Sequence, residues 1–232
     1  MSALGRFAGF GPRAVSFWHE LEADNSKAFF AAHREVYEVD IRDPLERLLG
    51  EVAAEFGDGK VFRPHRDVRF SADKSPYKLH AGAVIGDGER PVAFYTQVSG
   101  DGLLAASGYY RMSRDQLDRY LEAVVDDETG PTLVGVVARA RAAGAEVGGR
   151  ALVTAPRGYP RDHPRVELLR HKGLTVSRAW PEHGWLQTRE ALHRVTGLWR
   201  EAAEVNAWLD AQVGPPREQG PSRRSTSRQP TR

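Results

Sequence analysis

Residues 63 to 80 read Arg-Pro-His-Arg-Asp-Val-Arg-Phe-Ser-Ala-Asp-Lys-Ser-Pro-Tyr-Lys-Leu-His, which sets Arg63, Arg66, Arg69, Lys74 and Lys78 beside only two acids, Asp67 and Asp73. Cations crowded on a folded surface need anions, from the protein's own carboxylates or from a ligand. Planar guanidinium forks combined with flexible ammonium groups suit a phosphate or a carboxylate. In an anion site built here, Arg63, Arg69, Lys74 and Lys78 hold the charge and Tyr77 adds a neutral donor. Asp67 orients the arginines or acts as a base, and Arg66 and Asp73 complete the set. The competing reading is an internal ion-pair network that holds a turn against a sheet.

On a strand, alternate residues share a face. One face then carries Arg63, His65, Asp67, Arg69 and Ser71; the other carries Phe62, Pro64, Arg66, Val68 and Phe70. Arg66 falls among apolar neighbours on the expected core side, where a guanidinium needs a bidentate carboxylate or several carbonyls. Asp67 points away from it and is the expected partner of Arg63 or Arg69. Asp73, on the turn, folds back toward either face. Ser75-Pro76-Tyr77-Lys78 has the Ser-x-x-Lys spacing of penicillin-recognising hydrolases, whose amine sits one helical turn from the hydroxyl. Here the segment links strands and the companion motifs are missing, so a turn is the preferred reading.

Other chemistry-bearing residues give weaker patterns. Eight histidines are present, none in His-Glu-x-x-His spacing. His65 and His80 flank the arginine segment and are expected to meet across a strand pair, hydrogen-bonded rather than metal-bound because nearby cations disfavour another cation. Asp162-His163-Pro164 reads as a helix start. Lys172, at the head of a strand, is a candidate extension of the cationic site, with a solvated lysine as the plainer reading. Trp180 to Trp185 is an aromatic loop, either a lid or an anchor for the last helix. No nucleotide-binding glycine motif and no cofactor signature appears.

The elements that position these residues follow from periodicity. Residues 13–23 form a short helix with Val15, Trp18 and Leu21 on one face. Asp24, Asn25 and Ser26 cap a second, carrying Phe29, Phe30, His33, Val36 and Tyr37. Asp43-Pro44-Leu45-Glu46 starts a third, with Asp43 as N-cap and Glu46 closing the box, ending at Gly57. From Val61 the period becomes two, with runs at 61–70, 78–85, 91–98 and 103–110 and Asp-Gly pairs at 58–59, 87–88 and 101–102. Ser113 caps a helix, Thr129-Gly130-Pro131 opens another, and 150–155 and 172–179 read as strands around a short helix from Pro164 to Arg170. Thr188 caps one long final helix through Leu209. The fold class is α+β: a central antiparallel sheet with N- and C-terminal helices packed on it.

The 232 residues suffice for one domain with a sizeable core, and 41% hydrophobic with 28% charged residues fits a soluble globular chain. With no cysteine there is neither a disulfide nor a thiolate site. No apolar run is long enough for a membrane span, and Met1 to Pro12 lacks a signal-peptide pattern, which makes the cytoplasm the expected compartment. The pI is about 9.0, yet residues 214–232 hold five arginines and one acid, a net +4 of the chain's +2, so residues 1–213 carry −2. The expected division is a single α+β domain over 1–213 and a disordered basic Pro/Ser/Arg-rich tail over 214–232. Nucleic acid is then an expected partner only through the tail.

The run Arg63-x-x-Arg66-Asp67-x-Arg69-Phe70, followed by Asp73-Lys74-x-x-Tyr77, resembles the uncharacterised bacterial family catalogued as domain of unknown function 2461. Leu21 to Phe30 with Tyr37, Gly108-Tyr109-Tyr110, Ala155-Pro156-Arg157-Gly158, Asp162-His163-Pro164 and Leu168-Leu169-Arg170-His171-Lys172 extend the likeness over nearly all of residues 13–213. The chain departs from the family at Asp24-Asn25, where paired asparagines are usual, at Phe29-Phe30, where a Trp-Phe pair is usual, and at Met112, where proline is commoner. The family has no established activity, so the resemblance marks the unusual segment and assigns no reaction. The expected function is binding of a small phosphorylated or carboxylated ligand at Arg63–Lys78. The alternatives are a structural or interaction domain with paired arginines, and weak nucleic-acid binding through the tail.

Overall fold

A computed structural model describes residues 5–67, 69, 73–86 and 91–217. The chain opens with α1 (Ser16–Ala23), which buries Phe17, Trp18 and Leu21. Ser26 then caps α2 (Lys27–Ala32), its hydroxyl accepting from Phe29 N–H at 3.1 Å.

The helix expected to start afresh at Asp43 does not. One turn, α3 (Arg34–Val36), widens into a π-helical turn over Tyr37–Arg42 and continues without a cap into α4 (Asp43–Phe56). Pro44 explains the widening. It has no N–H to give, and its ring would crowd the Asp40 carbonyl one α-turn back. That carbonyl accepts instead from Gly11 N–H at 2.9 Å. Glu46 closes no capping box; it pairs with Arg42 at 3.0 Å. Leu45, Leu48, Leu49 and Val52 form the buried stripe of α4, which stops at Gly57 with φ of 99°, a left-handed conformation open to glycine.

Among the described residues the sheet has six strands: β1 (Gly59–Val61), β2 (His80–Ile85), β3 (Ala93–Ser99), β4 (Gly102–Tyr109), β5 (Glu146–Gly148) and β6 (Leu174–Trp180). They lie in the order β1-β2-β3-β4-β6-β5, all antiparallel. With Thr96 opposite both Ala83 and Ala105, the residues Ala81, Ile85, Val98, Leu103 and Val176 fall on one buried face. The architecture is α+β, as the alternation implied.

Between β4 and β6 the Ser113 capping box opens α5 (Arg114–Val125), followed by α6 (Thr129–Ala142) and the short α7 (Val166–Leu169). The strand expected at 150–155 is displaced: β5 ends at Gly148 and only Ala151 bridges, to His171. The expected long last helix is two, α8 (Glu190–Glu201) and α9 (Ala203–Gln212), hinged at Ala202 where ψ is −9°. Thr188 does support the start, accepting from Glu190 N–H at 3.2 Å. Among the described residues no helix is long and apolar enough to cross a membrane.

Candidate functional site

The strand expected over 61–70 ends at Val61. Phe62 N–H still reaches Gly82 C=O at 2.8 Å, but Pro64 cannot donate, and the chain leaves the sheet. It returns through a narrow neck. Arg66 N–H bonds Pro76 C=O at 2.8 Å and Lys78 N–H bonds Pro64 C=O at 2.9 Å, leaving His65 and Tyr77 as an isolated bridge pair. The described residues between Val61 and His80 thus belong to an excursion between the edge strand β1 and its neighbour β2. Val68 and residues 70–72, to which the alternating-face reading extended, lie outside the described residues, as does the expected Asp87-Gly88 turn.

In such a bridge the N–H and C=O of Tyr77 point away from the neck. The Asn25 side chain takes both. Its Nδ2 donates to Tyr77 C=O at 3.1 Å, and its Oδ1 accepts from Tyr77 N–H at 3.1 Å. One amide therefore acts as the missing neighbouring strand and clamps the excursion to the α1–α2 corner. The Tyr77 ring, 6% exposed, stacks on Phe30 with centroids 4.1 Å apart and planes at 11°. Its near neighbour is His65, at 5.0 Å, and not His80. His80 sits on β2 opposite Ser99, so the expected histidine pair does not form. Burial beside Lys78 holds His80 below its ordinary value.

Both acids of the segment are consumed within it. Asp67 takes Arg69 in bidentate fashion, at 2.9 and 2.6 Å. Asp73 accepts from Ser75 N–H at 2.8 Å, from Ser75 Oγ–H at 2.6 Å, and from Arg66. The Ser75 donors, followed by Arg66, pull the Asp73 carboxyl down to about 2. Arg69 likewise lowers Asp67. Ser75 therefore serves a turn, and Lys78 is turned away from it: its Nζ donates to Arg63 C=O at 3.2 Å and lies 5.4 Å over the Phe62 ring. Lys74 is exposed on the tip.

Arg63 is the exception. Its exposed guanidinium makes no hydrogen bond or salt bridge among the described residues, and it acts on Asp67 only through space, adding to the pull of Arg69 on that carboxyl. It lines a cleft of about 300 Å³ between the neck and the α2–α4 bend, together with Phe30, Tyr37, Pro64, His65 and Tyr77. The bend adds Arg34 and Arg42, both facing the same Glu38 at 3.8 and 3.2 Å. Tyr37 is 2% exposed, and burial pushes its hydroxyl up to about 12, so it stays protonated and able to donate. Of the sequence candidates, Arg63 and Tyr77 meet at this cleft; Arg66, Asp67, Arg69 and Asp73 instead hold the loop's shape. Arg34, Arg42 and Tyr37 were not singled out for a site. Arg34-Glu38-Arg42-Glu46 at intervals of four reads as an ordinary solvated helix face, and only Tyr37 within that ladder signals otherwise.

The remaining candidates lie elsewhere. Lys172 precedes Leu174, which pairs with Tyr109. The excursion projects from the opposite sheet end, where His80 faces Ser99 and Leu103 faces Trp180. The 181–185 loop is an anchor: Phe10 N–H bonds Leu186 C=O at 3.0 Å and Arg194 stacks over Trp185 at 4.5 Å. His163 accepts from Arg165 N–H at 3.1 Å at the approach to α7. A wider groove of about 760 Å³ runs past Phe56, Phe94 and Trp199, but its Arg200 is already bonded to Glu55 at 2.7 and 2.6 Å. Among the described residues no group of three or more His, Asp or Glu could hold a metal ion.

Residues 13–208 match the family model described as "Conserved hypothetical protein (DUF2461)", and the chain belongs to that family. No curated protein and no solved structure matches it.

Proposed function

We propose that this protein binds a small anionic ligand, a carboxylate or a phosphate, in the cleft between the Arg63–Tyr77 neck and the α2–α4 bend. The observation that carries the reading is the unpaired guanidinium of Arg63 at a cleft mouth whose other cations, Arg34 and Arg42, share a single lining acid, Glu38. Arg42 is also bonded to Glu46 at 3.0 Å, so among the described residues three arginines meet two acids, and the one excess charge is that of Arg63, where a ligand can enter. Tyr77 and Tyr37 contribute neutral donors. The Arg66–Asp73 and Arg69–Asp67 pairs favour the structural reading for those residues, and they serve this site by fixing the neck that carries Arg63.

A thermal-shift screen of the full chain against phosphate, nucleotides, sugar phosphates and small carboxylates tests the proposal. A true ligand at about 100 times its dissociation constant raises stability by about 2.7 kcal/mol. Arg63→Ala should weaken such a ligand about 10-fold or more, the loss of a charge-assisted contact. Arg139→Ala, which removes an exposed pair with Glu204 and does not line the cleft, should leave binding unchanged. Equal loss in both variants, or no stabilisation by any anion, contradicts the proposal.

A further inference from the structure

The walls of the Arg63 cleft are made of rings. Phe30, Tyr37, His65 and Tyr77 give it aromatic walls, and the uncharged aliphatic lining among the described residues is Pro64 and Ala31. Phe30 lies 5.1 Å from Tyr37 as well as 4.1 Å from Tyr77, so the three aromatic rings form one continuous surface. Ring faces and edges favour another ring over a flexible chain, through offset stacking and edge-to-face contact.

Two hydroxyls on this surface lack work to do. Tyr37 is 2% and Tyr77 6% exposed, and neither hydroxyl has a hydrogen-bond partner among the described residues. Buried tyrosine hydroxyls normally find one, as Tyr109 does on Asp210 at 2.9 Å and Tyr120 on Leu168 C=O at 2.9 Å. The polar atoms sealed away without partners, such as Trp18 Nε1, do not include these two, so each keeps a path outward, and the cleft is the opening both line. The volume of about 300 Å³ is at the small end for a ligand site and admits one ring with one head group.

We infer that the ligand is a small ring-bearing anion: a single aryl or heteroaryl body carrying one carboxylate or phosphate. The ring lies against the Phe30–Tyr77 surface, the head group meets Arg63 at the mouth, and the Tyr37 and Tyr77 hydroxyls donate to ligand oxygen. This rests on the anion-binding proposal above and narrows it to a chemical class. Glu38, the one acid among the described lining residues, is occupied by Arg34 and Arg42 and faces the ligand as part of that cluster.

Isothermal titration calorimetry on the full chain decides it, with benzoate and phenyl phosphate as probes, acetate and inorganic phosphate as ringless controls, and benzamide as the uncharged control. The aryl anions should bind about 10-fold or more tightly than their ringless counterparts, and benzamide about 10-fold or more weakly than benzoate. Tyr37→Phe and Tyr77→Phe keep every ring and should each weaken aryl-anion binding about 5-fold. In the unsubstituted protein, benzoate should shift the ring resonances of Phe30 and Tyr77 and leave those of Trp199, in the other groove, in place. If acetate or phosphate binds as tightly as its aryl partner, the ring inference falls and the anion proposal stands. Binding of benzamide equal to that of benzoate, or no binding by any probe, overturns both. Shifts at Trp199 in place of Phe30 and Tyr77 also overturn both.

Discussion

Asp73 shows how one carboxylate sets the shape of the arginine segment. It accepts from the Ser75 backbone, the Ser75 hydroxyl and Arg66 at once, and all three bonds favour its ionised form. Its folded value of about 2 lies below the ordinary 3.8. A depressed folded value means a contribution that is complete above about pH 4 and lost as pH falls from about 4 to 2. The Ser75 amide resonance should therefore titrate with a midpoint near 2 in the folded protein, and Asp73→Asn should abolish that transition. A midpoint at 3.8 would show that the triple contact does not persist in solution. Sequence spacing set Arg66 apart on the opposite face but could not tell Arg63 from Arg69, because it reports which face a residue shares and not where each side chain ends. The two that pair do so within seven positions of their acids; the third points at a helix bend nearly thirty residues earlier in the chain, which no local pattern reveals.

Between elements, the decisive contact is Asn25 to Tyr77, spanning 52 residues. Asn25 reads in sequence as helix-cap chemistry, yet the cap is Ser26 and Asn25 is free to imitate a strand. Asn25→Ala should cost about 1–3 kcal/mol in urea unfolding, because two buried-side backbone groups lose their partners together. It should also speed exchange of the Tyr77 amide at least about 10-fold without a comparable change in β3. Asn25→Asp, which keeps the acceptor and loses the donor, should fall between. Unchanged Tyr77 exchange in Asn25→Ala would mean that the stacked Phe30 ring alone holds the neck. Local pattern identified α5, β3, β4 and the α4 stripe because each has a clear period and punctuation. It placed the α4 boundary at Asp43 but read a fresh capped start where the helix runs on, since Pro44 is a helix-start signal whether or not a π turn precedes it. It also extended β1 too far, because arginine and proline at alternate positions do not announce where ladder bonds stop.

At the scale of the whole molecule, the chain's last described residues are fastened to α5. Gln116 donates to Gly214 C=O at 2.8 Å, Arg119 donates to Val213 and Pro215 C=O at 2.6 and 2.7 Å, and Asp115 accepts from Arg217 N–H at 2.8 Å. A chain ended at Arg217 should melt like the full-length protein, while one ended at Val213 should lose about 1–3 kcal/mol through the missing acceptors. Paired melts of the two truncations check this, and equal melting temperatures would contradict it. Residues 218–232, most of the expected basic tail, lie outside the described residues. What the sequence determined by itself was the fold class, most element positions, family membership and the one segment where cations outnumber acids. These depend on periodicity, capping and composition, which act over a few residues. Only tertiary structure decided which arginine remains without an acid and that Arg34, Arg42 and Tyr37 stand opposite it. It also decided that two buried tyrosines present unused hydroxyls. Those facts depend on which distant surfaces meet, and that follows from burying the whole core at once.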